Sequence, residues 1–189
     1  IYRPNEGFVA IPEFDWRTTT FQLLNGVTLK GGYAGSGARD PNARDVAKFE
    51  TILSGDLNRD DAEVPDANSL LSDITRQENS YHVTTASNIE SMAVMEGLTM
   101  TGGNANGQEE EQTFGGGLYC RTSHLGIVHC TFRGNASAYG GAIFNDKSGE
   151  LAVENCHFIR NNASMLGGAI DNTARYSVLV LDHCTFTEN

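Results

Sequence analysis

The sequence predicts an all-β fold, a right-handed parallel β-helix (solenoid) with coils of about 26 residues. Three observations predict it. The phrase Gly140-Gly141-Ala142-Ile143 returns as Gly167-Gly168-Ala169-Ile170, with an earlier variant at Gly115-Gly116-Gly117-Leu118. Four inward positions repeat in register: Leu125, Ile127, Cys130 and Phe132, then Leu151, Val153, Cys156 and Phe158, then Leu179, Leu181, Cys184 and Phe186. Each of those phenylalanines opens an F-x-x-N phrase, closed by Asn135, Asn161 and Asn189. A period of this length marks a solenoid, in which each unit buries its apolar face only against its neighbours.

Apolar residues alternate with period two over short segments, and many are β-branched or aromatic, so the segments are strands and not helices. Such strands stack about 4.8 Å apart, and parallel crossovers are right-handed. The whole chain, 1–189, reads as one domain. Residues 1–19 form an entry segment, 20–103 irregular coils with loop insertions, and 104–189 regular coils. In the irregular part, "NGVTLKGG" and "EGLTMTGG" read as degenerate copies of one coil, with Leu29 and Met100 in the Phe position and Gly32 and Gly103 in the Asn position. Gly and Asn accept positive φ most readily, so that position is expected to be left-handed. The stretch 33–49 is a polar excursion, 49–57 and 80–88 alternate like strands, and 104–113 is an acidic insertion expected to lie in solvent.

Composition bounds the partners. Lys plus Arg is 13 against 24 for Asp plus Glu, a net charge of −11. That excess opposes nucleic acid and anionic membrane surfaces and suits cations. No apolar run approaches the roughly 18 residues of a membrane span, so no membrane insertion by this segment is expected. A start at Ile1 and a close at Asn189 without a polar cap lead to the expectation of a longer parent chain, with further coils or end-to-end self-association at the open rung.

The G-G-A-[I/L] and F-x-x-N motifs resemble the repeats of chlamydial polymorphic outer-membrane proteins. The phrases "TFQLLNGVTLKGGYAG", "TILSGDLNRDD" and "GLTMTGGNA" resemble planctomycete-type secreted β-helix proteins. The resemblance covers nearly the whole chain and implies a secreted or cell-surface bacterial protein, a non-enzymatic structural or adhesive module with a glycan or protein surface ligand. Two alternatives stand beside it. Pectate lyases and several glycoside hydrolases share the fold, so a polysaccharide-active enzyme is one; a self-associating structural element is the other. An enzyme would need two convergent carboxylates, or calcium with a base. Asp146, Glu150, Glu154, Asp171 and Asp182 form no recognisable lyase or hydrolase motif, and no catalytic residue is assigned.

Calcium is the one metal expectation. In "DLNRDD", Asp56, Asn58 and Asp60 alternate with Asp61 beside them, hard oxygen ligands spaced as at the start of a calcium loop. The Gly and the distal Glu of an EF-hand are missing, and an Asx-turn is the competing reading. Cys130, Cys156 and Cys184 are expected to form a buried ladder of free thiols, which lacks the tetrahedral convergence of a metal site. Cys120 takes the position held by Asn145 and Asn172 in later coils and is left unassigned. His129 and His183 share the turn position of Asn155, His157 points outward, and His82 and His124 stand alone. Asn135 and Asn162 each begin an Asn-Ala-Ser acceptor sequence at a coil corner.

Overall fold

The computed structural model describes residues 1–7, 13–147, 149–173 and 177–189. The chain climbs a column in successive coils. The first holds β1 (Phe21–Gln22), β2 (Thr28–Lys30) and β3 (Ile52–Ser54). The second holds β4 (Thr84–Ser87), β5 (Ala93–Glu96), β6 (Thr99–Thr101) and β7 (Asn104–Ala105). Then come β8 (Leu118–Arg121), β9 (Leu125–Val128), β10 (Thr131–Arg133) and β11 (Ala136–Tyr139), and after them β12 (Ile143–Asp146), β13 (Glu150–Glu154), β14 (His157–Ile159) and β15 (Asn162–Leu166). The last described coil holds β16 (Ile170–Asn172), β17 (Val178–Asp182) and β18 (Thr185–Thr187). Corresponding strands pair in parallel to make three five-stranded sheets and one of three strands. The all-β parallel solenoid is therefore the fold. Asn135 lies 26 residues before Asn161, and Asn161 lies 28 before Asn189, which sets the regular coil length.

The repeat builds ladders inside the column. Phe132, Phe158 and Phe186 stack face to face with ring centroids 5.2 and 4.8 Å apart. Cys130 and Cys156 are fully buried, Cys184 is half-buried, and all of them are free thiols. Each thiol donates to a neighbouring carbonyl, Cys156 to Glu154 O at 3.2 Å. The adjacent Cys130 sulfur and burial together push the Cys156 thiol far above its ordinary range, so it stays protonated. Cys120, also fully buried, sits on Asn145 as the register expects, and burial pushes its pKa up to about 12. These thiols behave as small apolar side chains.

Two expectations about the corners are corrected. Leu29 pairs with Met95, not with the Phe position; Leu53 pairs with Met100 and fills that position in the first coil. The polar excursion 33–49 falls between β2 and β3, so the two apolar–Gly-Gly phrases end different sides of the coil. The Asn position is not left-handed either. The residue before it is: Gly102, Gly134, Arg160 and Glu188 have φ of +80, +59, +51 and +53°. The asparagines turn inward instead and form a ladder. Asn135 Nδ2 donates to Asn161 Oδ1 at 3.0 Å, and Asn161 Nδ2 to Asn189 Oδ1 at 2.9 Å. The same amides also serve the backbone, Asn161 Nδ2 donating to Phe132 O and Asn189 Nδ2 to Phe158 O. An inward amide thus satisfies corner groups that sheet pairing leaves over. Asn135 is fully buried, which closes that glycosylation acceptor in the folded chain.

The other turn follows expectation: Gly97, His129, Asn155 and His183 have φ of +68, +51, +53 and +50°. The Gly-Gly phrase has two causes. Gly140 and Gly167 sit at φ +63 and +66°. At the next residue, Gly141, a Cβ would run into Gly168 O of the coil above. Among the described residues, no helix is long and apolar enough to cross a membrane.

Candidate functional site

Residues 55–80 leave the column after β3 and return to begin β4, forming a flap along its flank. Short 3-10 turns shape it, Ala67–Ser69 and Ile74–Arg76, capped by the carboxylates of Asp66 and Asp73. Arginines fasten the flap to the coils. Arg76 donates from Nη2 to Gly134 O at 2.8 Å and Gly103 O at 3.3 Å. Arg160 donates to Val64 O at 2.6 Å and to Pro65 O. Arg17, from the entry segment, donates to Asn79 O and Asn104 O, each at 2.8 Å. A guanidinium fork supplies several donors at once, which lets one side chain serve several carbonyls.

The predicted calcium residues separate within this flap. Asp56 Oδ1 accepts from the backbone N–H of Arg59 at 2.6 Å and of Asp60 at 3.2 Å, three and four residues on, so the carboxylate closes a local turn wider than an Asx-turn. Arg59 takes φ +66° to make it. Asp56 Oδ2 lies 3.6 Å from Arg3 Nη2. Asp61 turns the other way, to Arg76 Nη1 at 3.1 Å and to Asn79 Nδ2 at 3.0 Å. Burial pushes its carboxyl up to about 6, against the pull of Arg76 and Asn79. Asn58 lines a cavity of about 540 Å3 together with Trp16, Arg17 and Glu78. A ligand oxygen from each of Asp56, Asp60 and Glu78 comes within 4.8 Å of the others.

Glu78 is the member that sequence reasoning missed. It stands across the flap from Asp56, and no local spacing connects them; only closure of the flap does. Its Oε1 is buried with no hydrogen-bond partner. Burial first, then the charges of Asp60, Asp61 and Asp56, raise its pKa. A site that crowds carboxylates while leaving one oxygen unbonded is suited to a hard cation.

Elsewhere on the column, the end of β11 and the strands β8 and β12 carry an aromatic shelf. Phe114 stacks on Phe144 at 4.2 Å, and Tyr119, Tyr139 and His82 close around them. His82 Nδ1 lies 3.1 Å from Gly115 O. Burial lowers its pKa to about 4, so it is neutral at physiological pH. Tyr119, Phe144 and Asp171 stand one above another, as the aligned coils predict. Asp171 Oδ2 is buried without a partner, and burial raises its pKa.

No protein-family model, curated protein or solved structure matches the chain. The likeness to chlamydial and planctomycete repeats therefore rests on the motifs alone.

Proposed function

We propose that the chain is a structural or adhesive solenoid module of a secreted or cell-surface protein, whose apolar rung at residues 178–189 is extended by pairing with a second copy of the chain. The supporting observation is the last rung itself. Leu181 and Phe186, whose counterparts one coil below are buried, are 45% and 47% exposed. The ladders run up to this surface, with Phe186 stacked only on Phe158 and Asn189 bonded only downward among the described residues. An apolar cross-section edged by strands templates further pairing. The buried thiols are shielded from oxidants, so an oxidising compartment places no strain on this reading. In sedimentation velocity, the 189-residue chain should associate as concentration rises, and Leu181→Lys with Phe186→Lys should hold it monomeric. A wild-type monomer at high concentration would overturn the extension. Release of reducing ends from a polysaccharide panel would replace the whole reading with an enzyme.

A second reading concerns the flap, where Asp56, Asp60 and Glu78 converge. Calcium held there would tie residue 78 to the start of the flap. Native-only binding stabilises by about 2.7 kcal/mol at a hundredfold excess over Kd. Calcium should therefore raise the melting temperature at pH 7 and lose much of that effect at pH 4.5, where Glu78, whose pKa burial raises, binds a proton instead. Glu78→Gln should remove most of the response. Melting indifferent to calcium and to chelator at pH 7 would sink this reading.

A further inference from the structure

We infer that the cleft between the flap and the outer face of β10 and β14 binds a small organic carboxylate. The cleft measures about 220 Å3. Outward-facing Arg133 and Ile159, paired in register, form its floor with Thr101 beside them. Val64, Leu70 and the guanidinium-bearing side chains of Arg76 and Arg160 form its walls. Three arginines thus meet in one small space on a chain of net charge −11. Their acidic partners Asp61, Glu50 and Glu188 do not line the cleft, and Glu63 is the single carboxylate that does. The lining itself thus presents three guanidinium groups and one carboxylate, with each guanidinium's paired carboxylate lying outside the cleft.

Each arginine keeps unused donor capacity. Arg133 spends Nη1 on Glu50 at 3.1 Å, and its Nε and Nη2 hold no acceptor among the described residues. Arg160 directs Nη2 at the flap carbonyls, while its Nε is 3.7 Å from Glu188. Arg76 is 4% exposed, and its Nε is buried without a partner. Guanidinium forks match the two oxygens of a carboxylate.

The rest of the lining decides the ligand's body. Val64 and Leu70 are buried and Ile159 is 37% exposed, so an aliphatic group has apolar walls to meet. Pockets for drug-sized molecules run about 300–1,000 Å3, so this one suits a short acid. An inorganic phosphate would leave those walls unused and would set its second charge against Glu63. The carboxylate is the oxyanion that fits both halves of the cleft.

Isothermal titration at low salt with isobutyrate, its neutral amide isobutyramide, and inorganic phosphate tests the inference. Isobutyrate should bind one per chain, and isobutyramide should not. Arg133→Gln should weaken isobutyrate at least tenfold, with partial recovery in Arg133→Lys. Ile159→Glu, at an outward and partly exposed position, should abolish binding by placing a second carboxylate in the floor; it carries the test if Arg133→Gln fails to fold. Equal binding of acid and amide, tighter binding of phosphate than of isobutyrate, or unchanged affinity in a folded Arg133→Gln or Ile159→Glu variant would overturn it.

Discussion

Phe158→Ala should destabilise the fold by about 3–5 kcal/mol, the cost of truncating a buried Phe together with the cavity it leaves. Phe158 is fully buried between Phe132 and Phe186, with ring planes 6° from parallel on both sides. Collapse cannot fill the void, because backbone hydrogen bonds hold the rungs about 4.8 Å apart. His157 N–H donates to Cys130 O at 2.9 Å, and Thr185 N–H to Cys156 O at 2.9 Å, so the rungs on either side are pinned. Phe186→Ala removes the same ring from a half-exposed position and should cost under about 2 kcal/mol, since less area leaves water there. Urea midpoints at a constant m-value check the pair. Equal losses at the two positions would show that the last rung is covered in solution.

Arg76→Met should cost a similar amount, about 3–5 kcal/mol, because it strands a buried partner charge. Arg76 bonds Asp61, Gly103 O and Gly134 O at once, so the flap and two coils lose their common fastener. The pH dependence identifies the cause. Burial already raises the folded pKa of Asp61 from 3.8 to about 6. A raised folded value means that the protonated form favours the fold. The stabilisation is complete below about pH 4 and is lost as the pH rises through 6. Without Arg76 the folded pKa rises further, and the loss should extend toward neutral pH. Arg76→Met combined with Asp61→Leu should recover part of the stability, since an apolar pair replaces an ion pair at little cost. Denaturation midpoints between pH 4 and 8 for wild type, single and double variants are the measurement. A single variant whose loss does not grow with pH would show that Asp61 is not the stranded group.

The candidate sites were legible to very different degrees. The F-x-x-N phrase marked the right corner but the wrong residue: the left-handed φ sits at Gly134, Arg160 and Glu188, and the asparagines hydrogen-bond inside. Both arrangements favour Asn, so the sequence could not separate them. "DLNRDD" showed its oxygen ligands, yet Asp61 serves Arg76 while Glu78 joins Asp56 and Asp60. The cleft arginines carried no spacing signal, because Arg76, Arg133 and Arg160 come from the flap and two different coils.

The sequence by itself determined the parallel solenoid, the register of its regular coils, the buried thiol ladder and the Gly-Gly corners. These depend on interactions between equivalent positions in successive repeats, and a repeat displays those positions side by side in the text. Only the tertiary structure decided where Leu29 and Leu53 enter the column, which way each flap carboxylate turns, and which arginines face one cleft. Those outcomes depend on how non-repeating insertions fold back on the coils. There, each pairing is set by local packing and unsatisfied backbone carbonyls, and no period in the chain encodes it.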